Sequence, residues 1–308
     1  VRLYTQAGIY GLSVCNYKGT FTNVTLAITN DSLQEKLDID IGDQVTISMS
    51  KKEGYLEEYK NMDVEVEEDP SNFKSVDQYL NFRPITSSTM KNDIIYRGSL
   101  ELKDKYAASK VADYESILTS KNIGLIIDLS HSVNDYEKYI DKVKLSPTLY
   151  NMYLHGQIYN CDIALNYFGD KTCSMLNDAF KKIVDSQTNV LVLCDEGKTR
   201  VGFFALVLEA FCNSSLDEVR ADYMQSYLNR SPLTKGSNVY NMIQHNTIDR
   251  LIYAAANIDK FSKNFSKIDW ESIDVSDIDL KETFSNYLSN YVKLDQDTMD
   301  KMYNKYHK

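Results

Sequence analysis

The feature that most constrains this chain is a continuous stretch, residues 189–211, that has the pattern of a strand, a tight turn and a helix. Residues 190–193 are apolar and have strand character, the turn starts with Cys194 and closes on Arg200, and a helix of almost unbroken apolarity follows. Unpaired N–H groups and the positive end of the dipole make a helix N-terminus attractive to anions. Because Gly197 lets the backbone fold tightly around a tetrahedral oxyanion, the stretch predicts an anion-binding turn with a thiol at its mouth.

The thiol and the guanidinium of this turn have complementary chemistry. A thiolate that faces helix N–H groups and a fixed cation has a pKa well below the usual value of about 8.5, so we expect Cys194 to be an ionised nucleophile. Arg200 presents a planar fork of donors that can hold two phosphate oxygens at once. This cysteine-to-arginine spacing at a strand-to-helix turn resembles the phosphate loop of the cysteine-dependent tyrosine phosphatases.

Two other interpretations of the stretch compete with this one. The first is a buried structural cysteine beside an ordinary surface arginine, since the bare spacing is common. The second is a nucleotide-binding loop, suggested by Gly197, Lys198 and Thr199 after a strand. That loop needs a glycine five positions before Gly197, where this chain has Val192. The flanking strand and helix favour the phosphatase type of loop.

Composition limits the classes of partner. The chain of 308 residues has a formal net charge of −10 and no basic cluster, so we do not expect a nucleic-acid partner. The longest apolar run, around Val201 to Phe211, is interrupted by Glu209 and is too short to span a bilayer. We therefore expect a soluble protein without a transmembrane segment. It can be cytoplasmic or exported, because a signal upstream of Val1 would not be visible.

Cysteines and histidines are spaced irregularly along the chain. The five cysteines do not have the spacing of a disulfide framework, and a reactive Cys194 fits a mostly reduced chain with at most one bridge. The four histidines are far apart and make no ligand pattern. We therefore expect neither a metal nor another cofactor.

Sequence patterns predict three segments. Residues 1–72 form a small β-rich module, because apolar and polar residues alternate around Val24 to Ile28 and Val45 to Met49. In residues 73–256, strand and helix patterns alternate, which predicts an α/β domain with a central, mainly parallel sheet flanked by helices. Residues 257–308 are polar, with aromatic residues at helical spacing, and we expect a helical C-terminal extension.

Several short motifs together resemble a bacterial tyrosine phosphatase-like family over roughly residues 75–256. These motifs are Asn81/Arg83, Tyr96-Arg97-Gly98-Ser99, Asp128-Leu129, the loop after Cys194, Leu208-Glu209-Ala210 and Asp222-Tyr223-Met224. The resemblance implies a phosphatase-like fold and hydrolysis of a phosphomonoester through a phosphocysteine intermediate. It also implies that Cys194 is the nucleophile and that Arg200 holds the phosphate.

Further candidates for binding the substrate phosphate come from the same motifs. They are Asp128, Asp195, Glu196, Gly197, Lys198 and Thr199. We expect Asp128 to position the loop rather than to donate protons. An inward carboxylate of Glu196 would repel a dianion, so we expect it to face outward or to bond backbone groups. Lys198 adds positive charge at the rim in one interpretation and is a solvated lysine in the other.

The chain departs from the family pattern at four positions. Leu193 replaces the histidine before the nucleophile, and Thr199 replaces an aspartate that is a suspected proton donor in relatives. Val201 lacks a hydroxyl that can help the sulfur leave when the phosphoenzyme is hydrolysed. Ser130 follows the strand end where an arginine is common. These departures predict slow catalysis and the loss of one cation from the pocket.

The general acid has two candidates. In tyrosine phosphatases this acid lies on a mobile loop ahead of the helix that precedes the nucleophile strand. Asp162, 32 positions before Cys194, fits the family spacing, whereas Asp170, 24 positions before it, lies in a loop just ahead of a helix. Each can instead be a surface or capping aspartate.

Three functions are compatible with these patterns. The leading one is hydrolysis of phosphotyrosine in a protein, or of a small phosphate ester. The second is hydrolysis of phosphoinositides or inositol phosphates, because a Gly-Lys-x-Arg loop also occurs in such enzymes, although the acidity of the chain counts against it. The third is a catalytically impaired module that binds phosphorylated ligands. The sequence predicts no particular oligomeric state.

Overall fold

The computed structural model describes residues 66–143, 145–259 and 272–308, the backbone of residues 10–17 and 20–28, and the single positions 38, 40, 42–44, 46 and 268. The chain divides into two compact units. One comprises Val1–Tyr59 and Asn257–Ile273, and the other comprises Lys60–Ala256 and Asp274–Lys308.

The first unit contains an antiparallel hairpin. Its strands are β1 (Tyr10–Tyr17) and β2 (Thr20–Ile28), and the register pairs Tyr10 with Ile28. A strand is therefore present where the alternation around Val24 to Ile28 predicted one. The other predicted strand, Val45 to Met49, lies outside the described residues apart from Thr46. The proposed boundary of this module near residue 72 stays a prediction.

The second unit is built on a five-stranded sheet with the order β3-β4-β7-β5-β6. The strands are β3 (Arg83–Pro84), β4 (Ile95–Ser99), β5 (Ile123–Asp128), β6 (Ile158–Asn160) and β7 (Asn189–Cys194). β3 is antiparallel to β4, and the other three pairs are parallel. The predicted α/β fold with a central, mainly parallel sheet is confirmed. β7 lies in the middle of this order, and its apolar residues are buried as in other central parallel strands.

Helices flank the sheet. They are α1 (Val76–Tyr79), α2 (Ala107–Ser120), α3 (Val133–Val143), α4 (Pro147–Leu154), α5 (Asp170–Asp185), α6 (Thr199–Phe211), α7 (Leu216–Arg230), α8 (Asn238–Gln244), α9 (Arg250–Ala256), α10 (Leu280–Asn290) and α11 (Gln296–Tyr306). A 3₁₀ turn at Pro70–Asn72 precedes α1, and a π-helical turn at His245–Asp249 joins α8 to α9. The sequence patterns missed α3 and α4, and they did not predict the π-helical turn.

Helix α6 is buried on every side. Residues 201–211 are all buried, as expected for a helix that is apolar all round. Phe204 stacks on Phe180 of α5 with ring centroids 4.6 Å apart, and Tyr287 of α10 meets Phe203 edge-on at 5.7 Å. The helix that starts at the candidate loop is therefore held by α5 on one side and by α10 on another. In the described part of the chain, no helix has the length and apolar character needed to cross a bilayer.

The carboxyl ends of the parallel strands meet at one edge of the sheet. There the Leu100 N–H donates to the Cys194 carbonyl at 3.0 Å, and the Leu129 N–H donates to the Leu193 carbonyl at 2.9 Å. The segment after β6 continues this pattern, because the Ile163 N–H donates to the Leu129 carbonyl at 2.9 Å. Loops at this edge of an open α/β sheet are the usual location of a ligand site.

Candidate active site

The turn between β7 and α6 encloses the sulfur of Cys194. The residue is 3% exposed, and its thiol is free. Backbone N–H groups of Lys198 and Val201, at the start of α6, donate hydrogen bonds to the sulfur. The sulfur therefore occupies the position at a helix N-terminus where an anion is stabilised.

Gly197 is the position where the turn depends on glycine. Its φ is +63°, in the left-handed region that other residues rarely adopt. A Cβ atom at this position would lie 2.9 Å from both the carbonyl carbon and the carbonyl oxygen of Gly98 on β4. The loop therefore passes against the backbone of the neighbouring strand with no room for a side chain.

Buried side-chain donors hold the outer face of the loop. The Asn81 amide donates to the Gly197 carbonyl at 3.1 Å, and the Ser226 hydroxyl donates to it at 3.3 Å. Arg97 Nη2 donates to the carbonyls of Gly197 and Lys198 at 3.2 and 3.3 Å. These contacts keep carbonyl oxygens of the loop outward, while the N–H groups of Lys198 and of the first turn of α6 reach the sulfur.

An ion cluster fixes these donors in turn. Arg97 Nη1 pairs with the Asp222 carboxylate, and Arg83 Nε donates to the same carboxylate at 2.8 Å. Arg83 Nη1 also donates to the side-chain oxygen of Asn81 at 2.8 Å. Burial opposes ionisation of Asp222, but the two guanidinium groups hold its pKa below its usual range. We call the set Asn81, Arg83, Arg97, Asp222 and Ser226 the back of the loop.

Arg200 and Asp195 form the opposite side, which we call the front of the loop. Arg200 Nη1 donates to Asp195 Oδ2 at 3.1 Å and to the Ser130 hydroxyl at 3.0 Å, and Nε donates to the Ile163 carbonyl at 2.9 Å. Within the described residues, no hydrogen bond joins the guanidinium to Cys194, and Nη2 has no hydrogen-bond partner. The guanidinium therefore bonds Asp195 of the loop and two neighbouring segments rather than the sulfur.

The expected acidity of the thiol is wrong for this structure. Burial raises the pKa of Cys194 above its ordinary value, and the loop N–H groups oppose this rise without cancelling it. The carboxylate of Asp195 raises the pKa further, whereas Arg97 lowers it. The sequence argument counted the amides and the cation at position 200, but it did not include the burial of the sulfur or the adjacent carboxylate.

A buried network at the end of β5 contacts the front of the loop. Asp128 is fully buried and accepts hydrogen bonds from the Ser130 N–H and the Tyr136 hydroxyl, each at 2.9 Å. His131 Nδ1 lies 3.0 Å from the same carboxylate. The Ser130 hydroxyl also accepts from the Asp195 N–H at 3.0 Å. The sequence patterns singled out Asp128 but missed His131. The signal that could have identified His131 is its position three residues after an aspartate at the end of a buried strand.

Comparison with known families agrees with this geometry. Residues 68–308 match the model described as the tyrosine phosphatase family. The chain belongs to this family. No curated protein matches the chain. The predicted resemblance is thereby confirmed, and the match extends beyond the predicted residues 75–256 to include α10 and α11. Membership supports a phosphatase that acts on a phosphorylated substrate.

Glu196 and Lys198 of the phosphatase loop pair with each other. Lys198 Nζ lies 2.6 Å from Glu196 Oε2 and 5.0 Å from the centre of the Tyr227 ring. Burial opposes the ionisation of Glu196, but Lys198 lowers its pKa below the usual value. Lys198 is thus neither a solvated lysine nor an unpaired charge at the rim. Thr199 is the first residue of α6 and is half-buried.

The two aspartates considered as general acids lie in different surroundings. Asp162 is exposed, has a φ of +36° and directly precedes Ile163, whose carbonyl accepts from Arg200. Asp170 is also exposed and is the first residue of α5, where a carboxylate stabilises the helix dipole. Only Asp162 is adjacent in sequence to a residue that contacts the front of the loop.

Glu101 is a third carboxyl group near the loop, and the sequence patterns did not suggest it. It follows Leu100, whose N–H donates to the Cys194 carbonyl. Burial raises the pKa of Glu101, and the carboxylates of Asp195 and Asp104 raise it further. A carboxyl group with a raised pKa retains its proton more readily, as a proton donor must.

Proposed function

We propose that this phosphatase hydrolyses phosphomonoesters through a phosphocysteine at Cys194, with phosphotyrosine in proteins as its substrate class. The observation that carries the proposal is the contact between the buried sulfur and the N–H groups of Lys198 and Val201. A phosphoryl group that reaches this sulfur meets the same end of α6. N–H groups fixed before the reaction stabilise the charge that develops on the equatorial oxygens.

The reaction has two displacements at phosphorus. In the first, the Cys194 thiolate attacks in line, the S–P bond forms as the P–O bond breaks, and a carboxylic acid protonates the departing oxygen. In the second, water attacks the phosphorus and gives a proton to the same carboxylate. The S–P bond then breaks, which releases inorganic phosphate and restores the thiolate.

Arg200 must change partners to bind the phosphate. In the structure its Nη1 is held by Asp195 and Ser130. A dianion offers oxygen atoms with more negative charge than the Ser130 hydroxyl, and a planar guanidinium binds two such oxygens at once. Because Arg200 is a quarter exposed and Asp195 about a third exposed, this exchange requires no buried group to move.

We assign the general acid to Asp162. Its neighbour Ile163 accepts a hydrogen bond from Arg200, so a movement of the guanidinium onto phosphate is coupled to the backbone beside Asp162. Asp170 is separated from this contact by the aromatic residue Tyr167, which stacks on Phe203 of α6 with ring centroids 4.0 Å apart. That packing fixes the second half of the segment between β6 and α5 against the core.

Two exposed apolar residues favour an aromatic ester over a polyanionic ring. Val133 is 51% exposed and lies two residues after His131, which contacts Asp195. Leu165 is 61% exposed and lies two residues after Ile163, whose carbonyl accepts from Arg200. Apolar surface suits the phenyl ring of phosphotyrosine. An inositol polyphosphate needs additional unpaired cations, whereas Lys198 is already paired with a carboxylate.

A second candidate function is a phosphate-binding module with impaired turnover. Burial raises the pKa of Cys194, so less of the protein holds the nucleophilic thiolate at neutral pH. The internal pairing of Arg200 also competes with phosphate binding. These two observations reinforce the expectation of slow catalysis from Leu193, Thr199 and Val201.

Turnover by the full chain distinguishes these functions. We expect release of phosphate from p-nitrophenyl phosphate and from phosphotyrosine peptides, with much less from inositol phosphates. Cys194→Ser should reduce kcat by a factor on the order of 10³ or more. Cys173→Ser is the matched control, because Cys173 is also buried and free but contacts the Tyr167 carbonyl instead of the loop.

Three results would change the conclusion. Vanadate binding without turnover of any ester favours the binding module. Equal rates in Cys194→Ser and the wild-type protein would overturn the cysteine mechanism. Faster release from inositol phosphates than from phosphotyrosine peptides would overturn the substrate class.

A further inference from the structure

One histidine links the sheet to the catalytic loop. His131 is 2% exposed and lies between two carboxylates: Nδ1 is 3.0 Å from Asp128 Oδ2, and Nε2 is 3.4 Å from Asp195 Oδ1. The other oxygen of Asp195 receives the hydrogen bond from Arg200 at 3.1 Å. A continuous chain of contacts thus joins Asp128, His131, Asp195 and Arg200.

Asp195 places a negative charge beside the sulfur of Cys194. It follows Cys194 directly, and a negative charge at this position disfavours the thiolate. The same carboxylate is useful because it holds Arg200 at the front of the loop. A second positive charge at the other carboxylate oxygen offsets Asp195 further without displacing Arg200.

His131 is placed to supply that charge. The groups around it come from four segments: Asp128 on β5, Asp135 and the ring of Tyr136 on α3, Asp195 in the loop, and the Leu102 N–H after β4. Lys103 lies behind Asp135, at 3.7 Å from its carboxylate. Burial opposes protonation of the imidazole, but Asp128 and the other carboxylates raise its pKa above the usual value.

The ring has a different partner in each protonation state. When Nε2 is unprotonated, it accepts the Leu102 N–H, which lies 3.3 Å away. When Nε2 carries a proton, it repels that N–H and attracts the Asp195 carboxylate at 3.4 Å. Nδ1 can donate to Asp128 in both states. Protonation therefore moves the interaction of His131 from the β4 segment to the catalytic loop.

We propose that the His131 imidazolium is a positioning residue of the catalytic loop, which holds the Asp195 carboxylate and offsets its charge beside the sulfur of Cys194. It supplies the cation that the serine at position 130 cannot. The effect is lost as the pH rises through the raised pKa of His131, because the neutral ring no longer adds its charge to that of Arg200 beside Asp195. The inference rests on the proposed role of Cys194 as nucleophile.

The test is the pH dependence of alkylation of the Cys194 thiol by iodoacetamide in the full chain. In His131→Gln, we expect the alkylation rate below the pKa of His131 to fall about tenfold, because the imidazolium is absent, and the rate above that pKa to stay unchanged. In Asp195→Asn, we expect the alkylation rate at the same pH to rise, because the carboxylate that disfavours the thiolate is removed. In the double variant, the loss of His131 should add little to Asp195→Asn. His155→Gln is the control, since His155 is exposed and bonds only its own helix.

A second measurement does not depend on the His131 variant folding. The imidazole of His131 in the wild-type protein should titrate above the reference value of about 6.5 in an NMR pH titration, and this pKa should fall in Asp195→Asn. An unchanged alkylation rate in folded His131→Gln at a pH below the pKa of His131, or effects of the two substitutions that simply add, would overturn the inference. So would a His131 pKa that does not respond to Asp195→Asn.

Catalytic assays separate this inference from the proposed function. Turnover by the wild-type protein together with an unchanged alkylation rate in His131→Gln would leave the phosphatase reaction intact and reject the role of His131. Absence of turnover together with the expected shifts would support the role of His131 and reject the reaction.

Discussion

The back and the front of the loop differ in burial and in what their side chains bind. At the back, Arg97 is fully buried and Asp222 is 11% exposed, and the donors bind backbone carbonyls of the loop. At the front, Arg200 and Asp195 are 25% and 35% exposed, and they bind mainly each other and Ser130. Removing the partner of a buried charge costs several kcal/mol of stability, whereas a partly exposed charge can exchange its partner at little cost in free energy. The back therefore sets the direction of the amides permanently, and the front can rearrange around an anion.

The largest effect should come from removing the main donor at the back. Arg97→Met removes one donor from the carbonyls of Gly197 and Lys198 and leaves Asp222 with Arg83 as its remaining guanidinium partner. We expect the free energy of unfolding to fall by about 3 kcal/mol, because a buried ion pair is broken from one side. We also expect phosphate release to be lost in the fraction that remains folded. Chemical denaturation and p-nitrophenyl phosphate turnover measure the two effects.

Arg220→Met is the matched control for this loss. Arg220 also forms a two-bond ion pair, to Asp249 at 2.8 and 2.9 Å, but its side chain does not bond the loop. This variant should lose stability while the activity of each folded molecule stays unchanged. If both arginine variants lost activity equally per folded molecule, the special role of the back would be wrong.

A smaller effect is expected where the loop passes over β4. Gly197→Ala places a Cβ 2.9 Å from the Gly98 carbonyl group at a positive φ, and we expect a loss of about 2 kcal/mol in unfolding free energy. Phosphate release should fall by more than tenfold, since the amides behind the sulfur must shift. Gly236 has a comparable φ of +78°, and a Cβ there would have nothing within 4 Å. Gly236→Ala therefore measures the cost of the positive φ alone, and the difference between the two variants is the cost of the close approach. Equal effects of the two alanines would show that close approach to β4 is unimportant.

The mildest effect should come from the front. Ser130→Ala removes an acceptor for the Asp195 N–H and for Arg200 Nη1. We expect kcat/KM to fall about fivefold, equivalent to about 1 kcal/mol, because the bond from the Asp195 N–H is lost, whereas Arg200 leaves Ser130 in any case when it binds phosphate. The free energy of unfolding should change by less. Ser132→Ala serves as control, because that hydroxyl bonds Asp135 instead. A loss of stability larger than the loss of activity would contradict a rearrangeable front.

Sequence patterns predicted the elements of the site better than their contacts. The strand and the helix around Cys194 follow from local apolarity and one glycine, and both are present. The pairing of Arg97 with Asp222 joins residues 125 positions apart, which no local pattern contains. His131 was overlooked because its partner Asp195 comes from a different strand connection.

The amino-acid sequence by itself determined that this chain folds around a strand, a glycine turn and a buried helix, because side-chain periodicity and backbone conformation act over a few residues. It also determined the family, through motifs that keep their spacing. The tertiary structure alone decided that burial raises the pKa of Cys194 and that Arg200 pairs with Asp195. Desolvation and charge interactions sum over groups from distant segments, so they exist only once the strands have brought those groups together.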